Sequence, residues 1–119
     1  MPKGTITHVE FPADDPERAK RFYAAVAGWE FGEMDGMPGY HLFATEEGHG
    51  GAVGRRGDNV GPTLRIYITV DKLEDACAAA TANGGVVVEP PGDVPGQGRF
   101  AVVRDTEGTE VGLWEPAPR

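Results

Sequence analysis

Several residue types that support common chemistries are scarce or absent in this chain of 119 residues. It contains no serine, which excludes a Ser-His-Asp catalytic triad. Its single cysteine, Cys77, excludes an internal disulfide and suits a reducing compartment. No apolar run approaches the ~18 residues of a membrane helix, and the N-terminus lacks the apolar stretch of a secretory signal. We therefore expect a cytoplasmic protein without a membrane partner.

Basic residues are also in the minority. The chain has 11 Lys and Arg against 19 Asp and Glu, so its formal net charge is −8. Because phosphate binding needs a basic face, we expect no nucleic-acid partner. The apolar fraction of 39% and the length are those of one ordinary globular domain.

What the chain does contain is a repeat. Residues 7–23 and residues 64–80 each begin with a strand-like alternation, continue through an aspartate and end in a helical pattern. Glycine follows each helix, at Gly28 and at Gly84, and short strands come next. The repeat predicts an α+β fold made of tandem β-α-β-β-β modules.

The two modules are expected to form one domain of residues 1–119. Module one covers about 5–55, a linker rich in Gly, Pro and charge covers 56–62, and module two covers about 63–116. Helices on the outer face of a curled mixed sheet would leave its other face bare, and a bare face must be covered or must bind something. We therefore expect a ligand in a cleft between the modules.

Local patterns give further expectations. The first helix is predicted to start at an Asp15 N-cap with Pro16 in its first turn. Residues 29–31 are predicted to start a strand, and residues 90–98 to form a long polar loop. The apolar residues expected to form the helical stripe and the core around it are Ala19, Phe22, Tyr23, Val26, Trp29 and Phe31.

Strand alternation selects the candidate ligand-binding residues. His8 and Glu10 share one face of the first strand, and Arg65 and Tyr67 share one face of the first strand of module two. In the last strand, Glu110 and Trp114 flank Gly112 on one face. The candidates assigned to the cleft are His8, Glu10, Arg65, Tyr67, Glu110 and Trp114.

Three stretches together resemble one protein family. They are AlaAspAspProGluArgAlaLysArgPheTyr followed by GlyTrpGluPhe, ThrValAspLysLeuGluAspAla, and ArgAspThrGluGlyThrGluValGlyLeuTrpGluPro. In this order and spacing they resemble the vicinal oxygen chelate superfamily, which includes glyoxalase I, bleomycin-resistance proteins and extradiol dioxygenases. The resemblance covers nearly the whole chain. It implies the paired-module fold, a cleft and frequent dimerisation, so we expect a homodimer.

The resemblance also implies where metal ligands would stand. Metal-dependent members carry a ligand on the first strand and on the last strand of each module. His8 matches the first position, whereas Arg65 and Gly112 occupy two others, and no Glu or His matches near residues 52–56. Because a guanidinium has no lone pair to offer a cation, we expect neither a metal site nor another cofactor.

Two readings of Arg65 stay open: an internal ion pair with Glu10 or Glu110, and a clamp for a ligand carboxylate or phosphate. Tyr67 and Trp114 could be walls for an aromatic ligand, or could pack the cleft or a dimer contact. We expect a metal-independent small-molecule binding protein with an aromatic or carboxylate-bearing ligand. The alternative is a metal-dependent lyase, isomerase or dioxygenase with a relocated site at His8 and Glu10.

Overall fold

The structure is a computed structural model that describes residues 2–46, 49–58 and 60–118. Along the chain, a strand, a helix and three further strands occur twice, in the order that the repeat predicts. The elements are β1 (Ile6–Ala13), α1 (Pro16–Ala27), β2 (Gly32–Met34), β3 (Met37–Glu46), β4 (His49–Arg55), β5 (Arg65–Thr69), α2 (Leu73–Ala82), β6 (Val86–Val94), β7 (Gly98–Arg104) and β8 (Glu110–Pro116).

The chain divides into two compact units of like topology. One unit is Thr7–Arg65, and the other runs from Ile66 onward together with the segment up to Ile6. The strand order is β2-β3-β4-β1 in the first unit and β5-β8-β7-β6 in the second. In both units the first strand pairs in parallel with the last, and the remaining pairs are antiparallel. The predicted α+β fold of tandem β-α-β-β-β modules is confirmed.

The two helices begin in different ways. The side chain of Asp15 accepts a hydrogen bond from the Arg18 backbone N–H at 3.1 Å, which is the predicted N-cap of α1. Gly28 ends α1 in the left-handed region, at φ 74°. Helix α2 has no side-chain cap from its own N-cap residue, Lys72. Instead, Glu115 of β8 accepts a hydrogen bond from Leu73 N–H at 2.8 Å, so the last strand caps the helix.

The predicted apolar stripe of α1 is wrong at two positions. Phe22 and Val26 are 58% and 68% exposed. The space under the helix is already filled by an aromatic cluster in which Trp29 stacks on Phe43 with ring centroids 3.9 Å apart. Phe22 is left with an edge contact to Tyr23, at 5.1 Å between ring centroids. Tyr23, Trp29 and Phe31 join this cluster as predicted.

Two strand boundaries also differ from expectation. The strand after α1 is Gly32–Met34, because the residues before it are occupied by the aromatic cluster. The predicted polar loop is instead largely strand, since β6 extends to Val94. Register shifts in the β6–β7 pairing, between Glu89 and Gly92, absorb the two prolines. Proline is tolerated there because β6 is the last strand of its sheet, where one side needs no ladder hydrogen bonds.

Helix α2 covers one face of the second unit's sheet. Leu73 is fully buried there with Ala101 and Leu113, and Cys77 is partly buried at the edge of this core. Burial raises the pKa of the Cys77 thiol, which disfavours the reactive thiolate. Among the described residues, neither helix has the length and hydropathy to span a membrane.

Candidate functional site

A buried tyrosine connects two of the predicted site residues within the first unit. The hydroxyl of Tyr40 donates a hydrogen bond to Glu10 Oε2 at 2.6 Å. The same hydroxyl oxygen lies 2.8 Å from His8 Nε2. Tyr40 and Glu10 are 5% and 7% exposed, and His8 is half-buried. The site is therefore a short polar chain, His8–Tyr40–Glu10, in a largely buried setting.

Sheet register explains why these three side chains meet. Glu10 of β1 pairs with Ala52 of β4, and Ala52 pairs with Leu42 of β3. Alternation then places Tyr40 on the same face as Leu42, and His8 on the same face as Glu10. Phe11, one residue after Glu10, packs in the aromatic cluster beneath α1. The polar chain thus lies on the face opposite the helix, as the sequence predicts for His8 and Glu10.

Protonation states follow from the contacts. Burial lowers the pKa of His8 from 6.5 to about 4, so the imidazole is neutral at pH 7. The Tyr40 hydroxyl has one proton and donates it to Glu10, so the proton between His8 and Tyr40 must come from His8. We therefore assign the neutral tautomer with hydrogen on Nε2. In that tautomer, Nδ1 carries a lone pair and can accept a hydrogen bond.

An apolar patch adjoins the polar chain. The aromatic body of Tyr40 packs with Ala52 and Val60, which are 0% and 5% exposed. The side chains packed against this group are Met34, Met37 and Leu42. Methionine is flexible and polarisable, so such a surface can adapt to the shape of an apolar ligand. Within one unit, a few polar atoms thus stand beside apolar walls, as in small-molecule sites.

Arg65 is buried at the end of the first unit, with 8% exposed surface. Its guanidinium lies over the backbone of Gly61: a Cβ placed there would be 2.7 Å from Arg65 Nη2. A side chain at position 61 would therefore require this flexible head to shift. The guanidinium is packed against the protein rather than extended into solvent.

The other predicted site residues lie in the second unit. The buried ring of Tyr67 packs beside Gly112, its register partner on β8. Its other ring neighbour is Phe100, at a centroid distance of 6.4 Å and a tilt of 66°. Trp114 pairs in register with Phe100 and lies over Gly98, where a Cβ would be 2.8 Å from Trp114 Cζ2. These aromatic side chains form the sheet face opposite α2.

Glu110 has a strand partner of opposite charge. Its Oε2 accepts a hydrogen bond from Arg104 Nη2 at 3.0 Å, across the β7–β8 pair. Both side chains are partly exposed, at 45% for Arg104 and 28% for Glu110. An ion pair this exposed contributes little to stability.

The residues present do not fit the divalent metal of the family's metal-dependent members. His8 and Glu10 are both engaged by the Tyr40 hydroxyl. At position 112, where a carboxylate ligand is expected, the ring of Tyr67 fills the space of a side chain. Across residues 2–46, 49–58 and 60–118, no three His, Cys, Asp or Glu side chains gather as a metal site. A structural or catalytic metal normally needs at least three protein ligands.

Tyr40 is the residue of the candidate site that sequence reasoning missed. A signal was present, because Tyr40 belongs to an alternating strand whose next polar residue, His41, points to the opposite face. His41 lies 3.2 Å from Glu17 of α1, on the helix side. The sequence alone does not reveal which strand lies beside β1, and so does not pair Tyr40 with Glu10.

Comparison with known proteins agrees with the fold. The profile of the Glyoxalase/Bleomycin resistance protein/Dioxygenase superfamily matches residues 5–113. The chain belongs to this superfamily, and the resemblance drawn from its sequence is confirmed.

Two relatives show how far sequence similarity extends. "Putative glyoxylase CFP32" of Mycobacterium bovis is 33% identical over 119 residues, which are 98% of this chain and 46% of that protein. The chain therefore spans about half the length of this relative. A glyoxylase-like domain-containing protein of Didymella fabae is 32% identical over 116 residues, 88% of each chain.

Solved structures share the fold at lower identity. Methylmalonyl-CoA epimerase from Mycobacterium tuberculosis has a TM-score of 0.66 and 21% identity, covering 97% of this chain and 89% of its own. A hypothetical protein of Bacillus halodurans has a TM-score of 0.73 and 14% identity, covering 98% and 96%. At these identities the likeness concerns the fold, which hosts different chemistries.

Proposed function

We propose that this protein binds a small molecule without a metal ion, as a binding protein of the glyoxalase/bleomycin-resistance type. Its ligand contacts the sheet face that carries His8, Tyr40 and Glu10. The observation that supports this most is the Tyr40 hydroxyl, which engages both Glu10 and His8, the one residue that matches a ligand position of the metal-dependent members. Polar atoms that already hydrogen-bond to one another offer few lone pairs to coordinate a cation.

The surroundings of this polar chain support binding of an apolar ring. Leu42, Met34 and Met37, which are only partly buried, offer apolar surface beside Tyr40. Burial of such a ring removes apolar area from water, at roughly 25 cal/mol per Å². The polar chain then orients the ring through a hydrogen bond, as the few polar atoms of a ligand pocket usually do.

Arg65 is a second proposed contact, for a carboxylate or phosphate group. Its planar fork can make two parallel hydrogen bonds to such a group. If so, Arg65→Lys weakens binding of carboxylate-bearing ligands and leaves the fold intact, because lysine keeps the charge without the fork. Tyr67, Glu110 and Trp114 also remain proposed ligand contacts.

A ligand screen by thermal shift tests the proposal. Protein dialysed against EDTA is compared with protein supplied with divalent metals, since a ligand of the native state raises the melting temperature. We expect hits in EDTA that disappear in Tyr40→Phe. Tyr23→Phe is the matched control, because Tyr23 loses the same hydroxyl within the aromatic cluster under α1. Hits that appear only with added metal would contradict the proposal.

A second candidate function is a metal-dependent lyase, isomerase or dioxygenase centred on His8 and Glu10. The observation in its favour is that both side chains converge on one atom, the Tyr40 hydroxyl oxygen. Metal analysis of the purified protein separates the two candidates. Stoichiometric zinc, nickel, manganese or iron that is lost in His8→Gln would favour the enzyme.

We also propose that the protein forms a homodimer. Phe22 and Val26 lie one turn apart on α1 and are mostly exposed, which leaves an apolar strip on the helix. Sedimentation at micromolar concentration checks this proposal. A species of only 12.6 kDa, the mass of one chain, would contradict it.

A further inference from the structure

The sheet face under α1 contains a buried histidine that stands between two carboxylates. His41 of β3 is 3% exposed, and its Nδ1 has no hydrogen-bond partner among the residues that the structure describes. Nε2 of the same ring lies 3.2 Å from Glu17 Oε2, in the first turn of α1. Nδ1 lies 3.9 Å from Glu33 Oε1, on β2. Each ring nitrogen therefore faces a carboxylate from a different element.

Sheet register fixes this arrangement. Glu33 and His41 are partners in the antiparallel β2–β3 pair, so their side chains share one face. On the other side of β3, the partner of His41 is Val53 of β4, which is fully buried. Tyr40, one residue before His41, faces the opposite side of the sheet. The histidine is thus separate from the polar chain of the proposed ligand site.

A neutral imidazole cannot satisfy both carboxylates. It carries one N–H, and when that proton is on Nε2, facing Glu17, the lone pair of Nδ1 faces another acceptor at Glu33. A buried polar atom that is left without a partner costs free energy. A protonated ring carries an N–H on both nitrogens. The mostly exposed Glu33 side chain then needs to move by about 1 Å to accept the bond from Nδ1 at an ordinary distance.

We infer that His41 is a proton-dependent latch between α1 and the β2–β3 pair. When the ring takes up a proton from solvent, Nε2–H donates to Glu17 and Nδ1–H donates to Glu33, so the charged ring joins the helix to the strands. When the proton leaves, one of the two bonds is lost. The inference goes beyond the proposed function and does not depend on it, because His41 lies on the face opposite His8 and Tyr40.

Charges on the surrounding elements set the strength of this latch. The titratable and charged groups on those elements are Glu17, Lys20 and Arg21 of α1, Glu33 of β2, and Arg55 of β4. The two carboxylates favour the charged ring, whereas burial disfavours it. Lys20 Nζ lies 3.2 Å from the same Glu17 oxygen that faces His41, and so competes for it. Removal of Glu33 should therefore weaken the latch most.

The ring nitrogens of His41 can be observed directly by NMR of protein with nitrogen-15 in its histidines. Histidine is the side chain that ordinarily changes charge between about pH 5 and pH 8, so the folded protein is titrated over this range. We expect one protonated nitrogen, Nε2, at the upper end of the range. At the lower end, both nitrogens of His41 should carry a proton.

Hydrogen exchange shows whether that proton strengthens the contact between the elements. The amides of the first turn of α1 and of the Glu33–His41 pair are measured at both ends of the range and corrected for the chemical exchange rate. We expect about tenfold more protection at the acid end, as for one added hydrogen bond to a charged group. Comparison with variants cancels any pH effect that is common to the whole fold.

Two matched variants at exposed positions avoid any change to the buried ring. Glu33→Gln removes the charge, and its amide can donate to Nδ1 of a neutral ring, so the proton is no longer required. In this variant His41 should lose its second proton at lower pH than in the unmodified protein, and the gain in protection should disappear. Glu30→Gln removes the same charge three residues earlier and should behave as the unmodified protein.

Three outcomes would overturn the inference. They are a His41 ring that stays neutral in the folded protein at about pH 5, protection that is equal at both ends of the range, and equal results for Glu33→Gln and Glu30→Gln. Each of them leaves the proposed function intact, because the ligand screen concerns the opposite face of the sheet.

Discussion

The ring of Tyr67 occupies the space that a side chain at position 112 would need. Gly112 is buried on β8 and pairs in register with Tyr67 on β5. A Cβ built on Gly112 would overlap ring atoms Cδ2 and Cε2 of Tyr67. The glycine is therefore required by an aromatic neighbour.

This contact predicts that Gly112→Ala destabilises the fold. Added volume at a packed position typically costs about 1–3 kcal/mol of unfolding free energy. Urea denaturation measures the loss, and Gly92→Ala is the control, because a Cβ there meets open space. In the Tyr67→Ala background, Gly112→Ala should cost less than it does in the unmodified protein, because the ring that it overlaps is gone. Equal, small losses at both glycines would show that Tyr67 does not pack there.

Stability should depend on pH through His8. The unfolded ring takes up a proton near pH 6.5, whereas burial lowers the folded pKa to about 4. Between these values the unfolded state binds more protons, so the unfolding free energy falls as pH decreases from about 6.5 to about 4. Each pH unit lowers the unfolding free energy by at most roughly 1.4 kcal/mol, so the total loss over this pH range is limited to about 3 kcal/mol.

Urea denaturation at several pH values checks this dependence in the unmodified protein and in His8→Gln. The variant should lose most of the slope above pH 4.5, while the control His49→Gln should keep it. An NMR titration that finds His8 protonated near pH 6.5 in the folded protein would contradict the account.

A second pH effect should arise at α2. Arg99 donates two hydrogen bonds to Glu74, both at 2.8 Å, and these bonds lower the Glu74 pKa to about 2. Arg99 also lowers the pKa of Glu115, which caps the helix through Leu73 N–H. Depressed carboxyl pKa values give stability that is present above pH 4.5 and is lost as pH falls toward 2.

Replacement of Arg99 by Met should therefore flatten the acid limb of the stability profile and weaken α2. Because Glu74 is largely exposed, solvent screening keeps the effect at neutral pH small. Hydrogen exchange of the Leu73 amide monitors the cap directly. Arg104→Met is the control, because it removes the Arg104–Glu110 ion pair, which does not include the residues that cap α2. Identical acid limbs in both variants would show that Arg99 does not support the cap.

Glu10→Ala should destabilise the protein more than substitution of an exposed glutamate. The change leaves the buried Tyr40 hydroxyl without its acceptor, at a cost of about 1–3 kcal/mol. Glu17 is a poor comparison, because its carboxylate lies 3.2 Å from the buried His41. Exposed Glu30 is the better control. Equal unfolding midpoints for Glu10→Ala and Glu30→Ala would mean that Glu10 does not hold Tyr40.

The sequence allowed much of the fold to be predicted, because duplicated patterns carry local information. Strand alternation correctly placed His8 and Glu10 on the face opposite Phe11, and Asp15 caps α1 as predicted. Errors arose where tertiary packing decides. Phe22 follows helical periodicity, yet the aromatic cluster is complete without it. Pro90 and Pro91 suggested a loop, yet an edge strand with register shifts accommodates them.

The site was harder to predict for the same reason. Alternation identifies the face of a residue but not its neighbour on another strand. The contact of Tyr40 with Glu10 depends on β4 lying between β1 and β3, which is a property of the assembled sheet. The contact of Tyr67 with Gly112 likewise depends on the parallel register of β5 and β8.

The most direct test of metal-independent binding at His8, Tyr40 and Glu10 is calorimetric titration with the best ligand from the screen. The protein is dialysed against EDTA, and the titration is repeated with zinc, nickel and manganese. We predict one dissociation constant, unchanged by metal, that rises about tenfold or more in Tyr40→Phe, as for a lost hydrogen-bonding group. Binding that requires metal, and that Tyr40→Phe leaves unchanged, would contradict the account.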